Sequence, residues 1–170
     1  MLQNKKYNYL NKYVDLSDHI VIGKDNNFES LTEEEIKTEE QRLGFRFPEQ
    51  LRQFYLEIGY GNLTTPENPY KDYMLHSENE ILKPSVIADI ILLGHDSGYI
   101  SQDVLDVMAP GDLPFFHIRD SCLFLFLKVN SSNPNAVYNE WGNLIEENFD
   151  RFIWRLYYES PTFYEEVQKS

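Results

Sequence analysis

Residues 31–62, LTEEEIKTEEQRLGFRFPEQLRQFYLEIGYGN, constrain the fold more than any other stretch of the chain. They spell a helix, a tight break and a second helix. Thr32 is placed to N-cap the first helix, and Glu35 three residues on completes a capping box. Leu31 before the cap and Ile36 in the next turn have the spacing of a hydrophobic staple. Ile36, Glu40 and Leu43 then share one face, so only a thin apolar stripe points inward. Gly44 stops the helix, because the left-handed position after a helix end suits a residue without a Cβ. Pro48 restarts it, since a first-turn proline loses no hydrogen bond. From there Leu51, Phe54, Tyr55 and Ile58 form a true amphipathic stripe, which Gly59 and Gly61 end.

The rest of the chain reads as follows. Tyr7, Leu10 and Val14 recur about a turn apart, predicting a short amphipathic helix over residues 3–14. Residues 15–30 read as a connection with a short strand at the apolar island 19–22. A loop spans 62–71, residues 73–76 read as a strand, and 78–84 as a turn or short helix. The Val- and Ile-rich run 85–93 reads as a buried strand, with a helix as the alternative that periodicity leaves open. A glycine-bounded loop follows at 94–98, then a short helix from Ser101 or Asp103 to Met108. Residues 113–129 form the strongest strand region, with a turn at Arg119-Asp120-Ser121. Leu123 to Leu127 continue without a polar interruption, as in a strand covered on both faces. Cys122, the single cysteine, is read as lying inside that apolar run and so as a buried inert thiol. Residues 136–141 form the returning strand, with its tight end at Gly142-Asn143. Asn148 caps a last helix, in which Phe149, Phe152, Ile153, Leu156 and Tyr157 repeat at helical spacing. Pro161 ends it, leaving a short acidic tail.

Helices, then strands, then a closing helix are the grammar of an α+β fold. The expected architecture is a mainly antiparallel central β-sheet, with the paired N-terminal helix unit and the C-terminal helix packed on it. A length of 170 residues fits one domain over 1–170, with the helix pair at 31–61, the sheet at 85–141 and the last helix at 148–160.

Charge is the informative bulk property. Twenty-eight acids against fifteen bases give a formal net charge of −13. Such a surface repels nucleic-acid phosphates and anionic membranes, where binding needs cations. It attracts a basic partner and speeds encounter with it; acidity for solubility alone is the bland alternative. The N-terminus has two lysines but no apolar segment after them, so no secretory signal is expected and the chain reads as cytoplasmic.

Motifs for catalysis are weak. His95, Asp96 and Ser97 sit together between Gly94 and Gly98, but adjacent residues rarely point at one another and the spacing is not a nucleophile elbow. His19, His76, His95 and His117 are scattered, so neither a metal nor a cofactor is expected, although His76 with Glu78 and Glu80, or His95 with Asp96, would form a weak site if folding brought them together. The glutamates at 33–35 are accounted for by the helix dipole. Glu40, on the inward face, either pairs with a backbone group or base or remains half-exposed. Most aromatics, Phe54 and Phe124 among them, read as core. Tyr70, Asp72, Tyr73, Glu78, Glu80, Glu140 and Trp141 are the candidate partner contacts, and Tyr99 belongs to the same group of aromatics that could include interface anchors, since aromatic anchors dominate binding hot spots.

Ile36, Glu40, Leu43-Gly44, Phe47-Pro48, Phe54 and the Gly59-Tyr60-Gly61 exit resemble the signature of the SUKH superfamily, the Smi/Knr cell-wall-regulator type. The sequence departs from that pattern at the usual Asn-Gly step, which is Gly59-Tyr60 here. The resemblance implies a central sheet flanked by the paired helices and a C-terminal helix. It also implies a non-enzymatic bacterial immunity protein that neutralises a polymorphic toxin, often a nuclease. The partner would then be a basic toxin domain, with the chain itself a monomer or weak dimer. The alternative it implies is a regulatory scaffold of cell-wall glucan synthesis.

Overall fold

The computed structural model describes residues 5–16, 25–68 and 77–167. Among them, seven strands form one antiparallel sheet in simple chain order: β1 (Asn27–Glu29), β2 (Tyr60–Asn62), β3 (Asn79–Ile81), β4 (Asp112–Ile118), β5 (Leu123–Lys128), β6 (Val137–Tyr138) and β7 (Leu144–Glu146). Helices occupy the connections. α1 (Glu33–Leu43) and α2 (Glu49–Glu57) lie between β1 and β2, and α3 (Pro84–Leu93) and α4 (Gln102–Val107) between β3 and β4. α5 (Phe149–Tyr158) and α6 (Tyr164–Val167) follow β7. The fold is α+β as expected, although helices and strands interleave along the chain instead of falling into helix, strand and closing-helix blocks.

The helix pair forms for the reasons its sequence gives. Thr32 and Glu35 make both halves of the capping box, and Gly44 closes α1 in the left-handed conformation at φ 79°. Pro48 stands at the N-cap of α2 rather than inside its first turn. Glu40 is buried at 8% exposure and fully engaged: it accepts from the Phe47 amide at 3.0 Å and from Arg52 Nε at 3.0 Å. This one carboxylate therefore ties α1, the break and α2 together. The glycine exit is a second tie. A Cβ on Gly59 would lie 1.8 Å from the Glu29 carbonyl oxygen, and one on Gly61 2.2 Å from that of Asn27. Both glycines have positive φ, so β2 can approach β1 this closely only without side chains there.

Aromatic rings join the helices to the sheet. Phe54 of α2 meets Tyr7, Phe28 and Phe149 edge-on, at 5.0, 5.8 and 5.7 Å between ring centres. Phe115 and Phe116 of β4 pack on Phe152 of α5. All five apolar stripe residues of α5 are buried, and Asn148 caps it by accepting from the Arg151 amide.

Several expectations are corrected. Residues 85–93 belong to helix α3 and not to a strand; Pro84 occupies its first turn, and β-branched residues alone do not decide between the two. The sheet accordingly runs from Asn27 to Glu146 rather than over 85–141. Residues 79–81, read as turn or helix, are strand β3, and 60–62, read as helix exit and loop, are β2. The N-terminal helix is a 3-10 helix, Asn8–Tyr13. The returning strand is shorter than expected, Val137–Tyr138 only. Cys122 is exposed: it sits in the β4–β5 turn at φ 56°, outside the apolar run beside it. The tail after Pro161 is anchored, with Phe163 and Tyr164 buried. Tyr164 donates to Asn79 Oδ1 at 2.8 Å, while Asn79 Nδ2 donates to the Pro161 carbonyl at 2.8 Å. The strand expectations at 19–22 and 73–76 lie outside the described residues.

Candidate functional site

One end of the β4–β5 hairpin gathers several of the acids singled out in the sequence. Glu80 of β3 stands opposite His117 of β4, and His117 opposite Phe124 of β5. Directly opposed residues share a face of the sheet. The imidazole stacks on the Phe124 ring at 4.4 Å with the planes 11° apart. Beyond Phe124, its backbone amide donates to Glu140 at 3.1 Å. Glu80, His117 and Phe124 thus form a row across β3, β4 and β5, and Glu140, from the turn after β6, reaches the end of that row through its side chain. Glu78 joins them through its carbonyl, which accepts from the Arg119 amide at 3.1 Å.

The two carboxylates are held differently. Burial pushes the Glu80 carboxyl upward, but His117 and Arg119 outweigh it and keep its pKa below the usual carboxylate range. Arg119 Nε donates to Glu80 at 2.9 Å, and His117 Nδ1 lies 3.9 Å away. Among the described residues Glu140 accepts from the Phe124 amide alone; burial prevails and raises its pKa. Glu80 is therefore neutralised within the molecule, whereas Glu140 is a half-buried charge with one backbone donor.

Trp141 lies in the β6–β7 turn and is 62% exposed. Asn139 builds that turn, accepting from the Trp141 amide at 3.0 Å and the Asn143 amide at 2.9 Å. Its buried Nδ2 has no hydrogen-bond partner among the described residues. Tyr70, Asp72 and Tyr73 lie outside the described residues, and so does His76. Structure therefore brings Glu78, Glu80, Glu140 and Trp141 to one end of the sheet. Sequence spacing did not show this, because their proximity comes from strand register.

The Gly94-to-Gly98 stretch folds as a 3-10 turn, Gly94–Ser97, closed by Gly98 at φ 76°. The Ser97 hydroxyl accepts from the Tyr99 amide at 3.2 Å, a local turn contact. Among the described residues, no group of three or more His, Cys, Asp or Glu side chains has a metal-binding arrangement. No helix among them is long and apolar enough to cross a membrane.

An antiparallel sheet in chain order, with a helix pair clasped by a buried glutamate against its first strands, defines an α+β protein of the SUKH type. The chain belongs to the SMI1 / KNR4 family (SUKH-1), whose sequence profile matches residues 30–164. It is similar to the immunity protein YxxD of Bacillus subtilis (strain 168), with 30% identity over 142 residues that make up 77% of this chain and 90% of that protein. No solved structure matches it significantly.

Proposed function

We propose that this chain is an immunity protein that binds a cognate toxin domain and blocks it by occlusion, without chemistry of its own. The observation that carries the reading is the similarity to a protein named as an immunity protein, extending over 90% of that protein's length. The toxin domain is basic, and a nuclease is the best fit to the net charge of −13, since surfaces that hold phosphates are rich in Lys and Arg. The acidic field mainly raises the association rate, while a few desolvated anchors set the lifetime of the complex.

The test uses the toxin domain encoded beside this chain's gene. Cells expressing that domain are expected to grow when the chain is co-expressed, and the purified pair to associate more slowly as salt rises. Growth arrest despite soluble co-expressed chain contradicts the reading.

A further inference from the structure

We infer that the toxin docks on the outer face of α3, the 94–97 turn and α4, with a basic, partly apolar patch of the toxin as the occupant. The inference rests on the immunity reading above. Its first support is exposure. Leu92 and Leu93 at the end of α3, Tyr99 just after the 94–97 turn and Val107 at the end of α4 are 49%, 53%, 51% and 53% exposed, four large apolar side chains close together along the chain. α3 and α4 both pack on the turn between them, so these side chains belong to one structural unit.

Charge patterning is the second support. From residue 84 to 118 the chain carries five aspartates, Asp89, Asp96, Asp103, Asp106 and Asp112, and no lysine or arginine. Helical spacing sets Asp89, Asp103 and Asp106 beside apolar residues. Asp89, Leu92 and Leu93 share one face of α3, and Asp103, Asp106 and Val107 share one face of α4. Asp89 is bound by Arg42 of α1 at 2.8 Å and Asp112 by Lys128 at 3.2 Å. Asp96, Asp103 and Asp106 are exposed and make no ion pair among the described residues. Exposed apolar side chains in a stretch that also carries three aspartates without an ion pair match a partner with apolar anchors among cations. A second copy of this chain would instead bring like charges together.

Binding of the toxin domain encoded beside the gene, made catalytically inactive, is measured by calorimetry and stopped flow against the full chain. Leu92→Ser/Leu93→Ser is expected to weaken binding at least about tenfold, mostly through dissociation. Asp96→Asn/Asp103→Asn/Asp106→Asn is expected to slow association several-fold and flatten its salt dependence. Leu56→Ser, a similarly exposed leucine on α2 outside this face, is the matched control with wild-type affinity. Near-UV circular dichroism and the urea midpoint verify that each variant is folded. Wild-type affinity in both face variants overturns the docking face while leaving the immunity reading intact. So does a loss confined to Trp141→Ala. No binding by the wild-type chain overturns the immunity reading and this inference together. Concentration-dependent self-association of the free chain, abolished by Leu92→Ser/Leu93→Ser, assigns the face to a second copy and also overturns the proposal.

Discussion

The two ends of the β4–β5 hairpin treat their acids in opposite ways. At the end where β4 leaves the sheet, Glu80 is matched by Arg119 and His117, and Glu140 by the Phe124 amide. At the end where α4 delivers the chain to Asp112, three aspartates face solvent without an ion pair among the described residues, next to exposed leucines. Net charge cannot separate these cases, because each acid counts once in the sum. What separates them is whether the carboxylate is drawn into the sheet: Glu80 meets Arg119 and Glu140 the Phe124 backbone amide, whereas Asp106 accepts from its exposed neighbour Gln102 at 2.8 Å and faces solvent. A carboxylate met by a base, as Glu80 is by Arg119, stabilises the fold, and outward ones remain available to a partner.

The largest expected effect belongs to the most deeply paired acid. Glu40→Ala removes the acceptor of the Phe47 amide and leaves Arg52 without its main partner, and about 3 kcal/mol of stability should be lost in urea unfolding. Loss below half a kcal/mol would place Glu40 among the outward acids. Arg119→Ala should cost about 1 kcal/mol at neutral pH, since Glu80 is only partly buried. Here the sign follows from the lowered Glu80 pKa: the folded state holds the ionised form more strongly than the unfolded chain. The Arg119 contribution is thus present above the ordinary glutamate value of 4.5 and is lost as pH falls through the lower folded value. A difference between wild type and Arg119→Ala that persisted undiminished in acid would show that Glu80 is not its source. At the outward end, Asp96→Asn/Asp103→Asn/Asp106→Asn should shift stability by no more than about 0.5 kcal/mol, the range of ordinary surface changes. A larger loss would mean that these aspartates are paired after all. Smallest of all, Cys122 should react with a thiol reagent in the folded protein at nearly the rate of the unfolded chain, with no change in stability. Protection of that thiol until unfolding would restore the buried reading.

Much of the helix pair was legible because its signals are local. Thr32, Glu35 and Gly44 act within a few residues of one another, and the apolar spacing of α2 and α5 repeats over several turns. The three-residue strands β1, β2, β3 and β7 were not legible, since so short a segment has no measurable period and owes its conformation to neighbours far along the chain. The run 85–93 was misread because nearly every residue is apolar, so neither period stands out; Pro84 was the signal for a helix. That misreading also hid the docking face. Leu92 and Leu93 look buried in a strand, whereas at the C-terminal turn of α3 they are half-exposed. Glu80 and Glu140 were singled out as charges, but their internal partners come from strand register and could not be seen in the sequence.

Hydrogen exchange of the full chain, free and saturated with the inactive toxin domain, tests the central claim most directly. The account predicts slowed exchange over residues 89–107, with residues 137–144 unchanged. Slowed exchange confined to 137–144, or none anywhere in the chain, would contradict it.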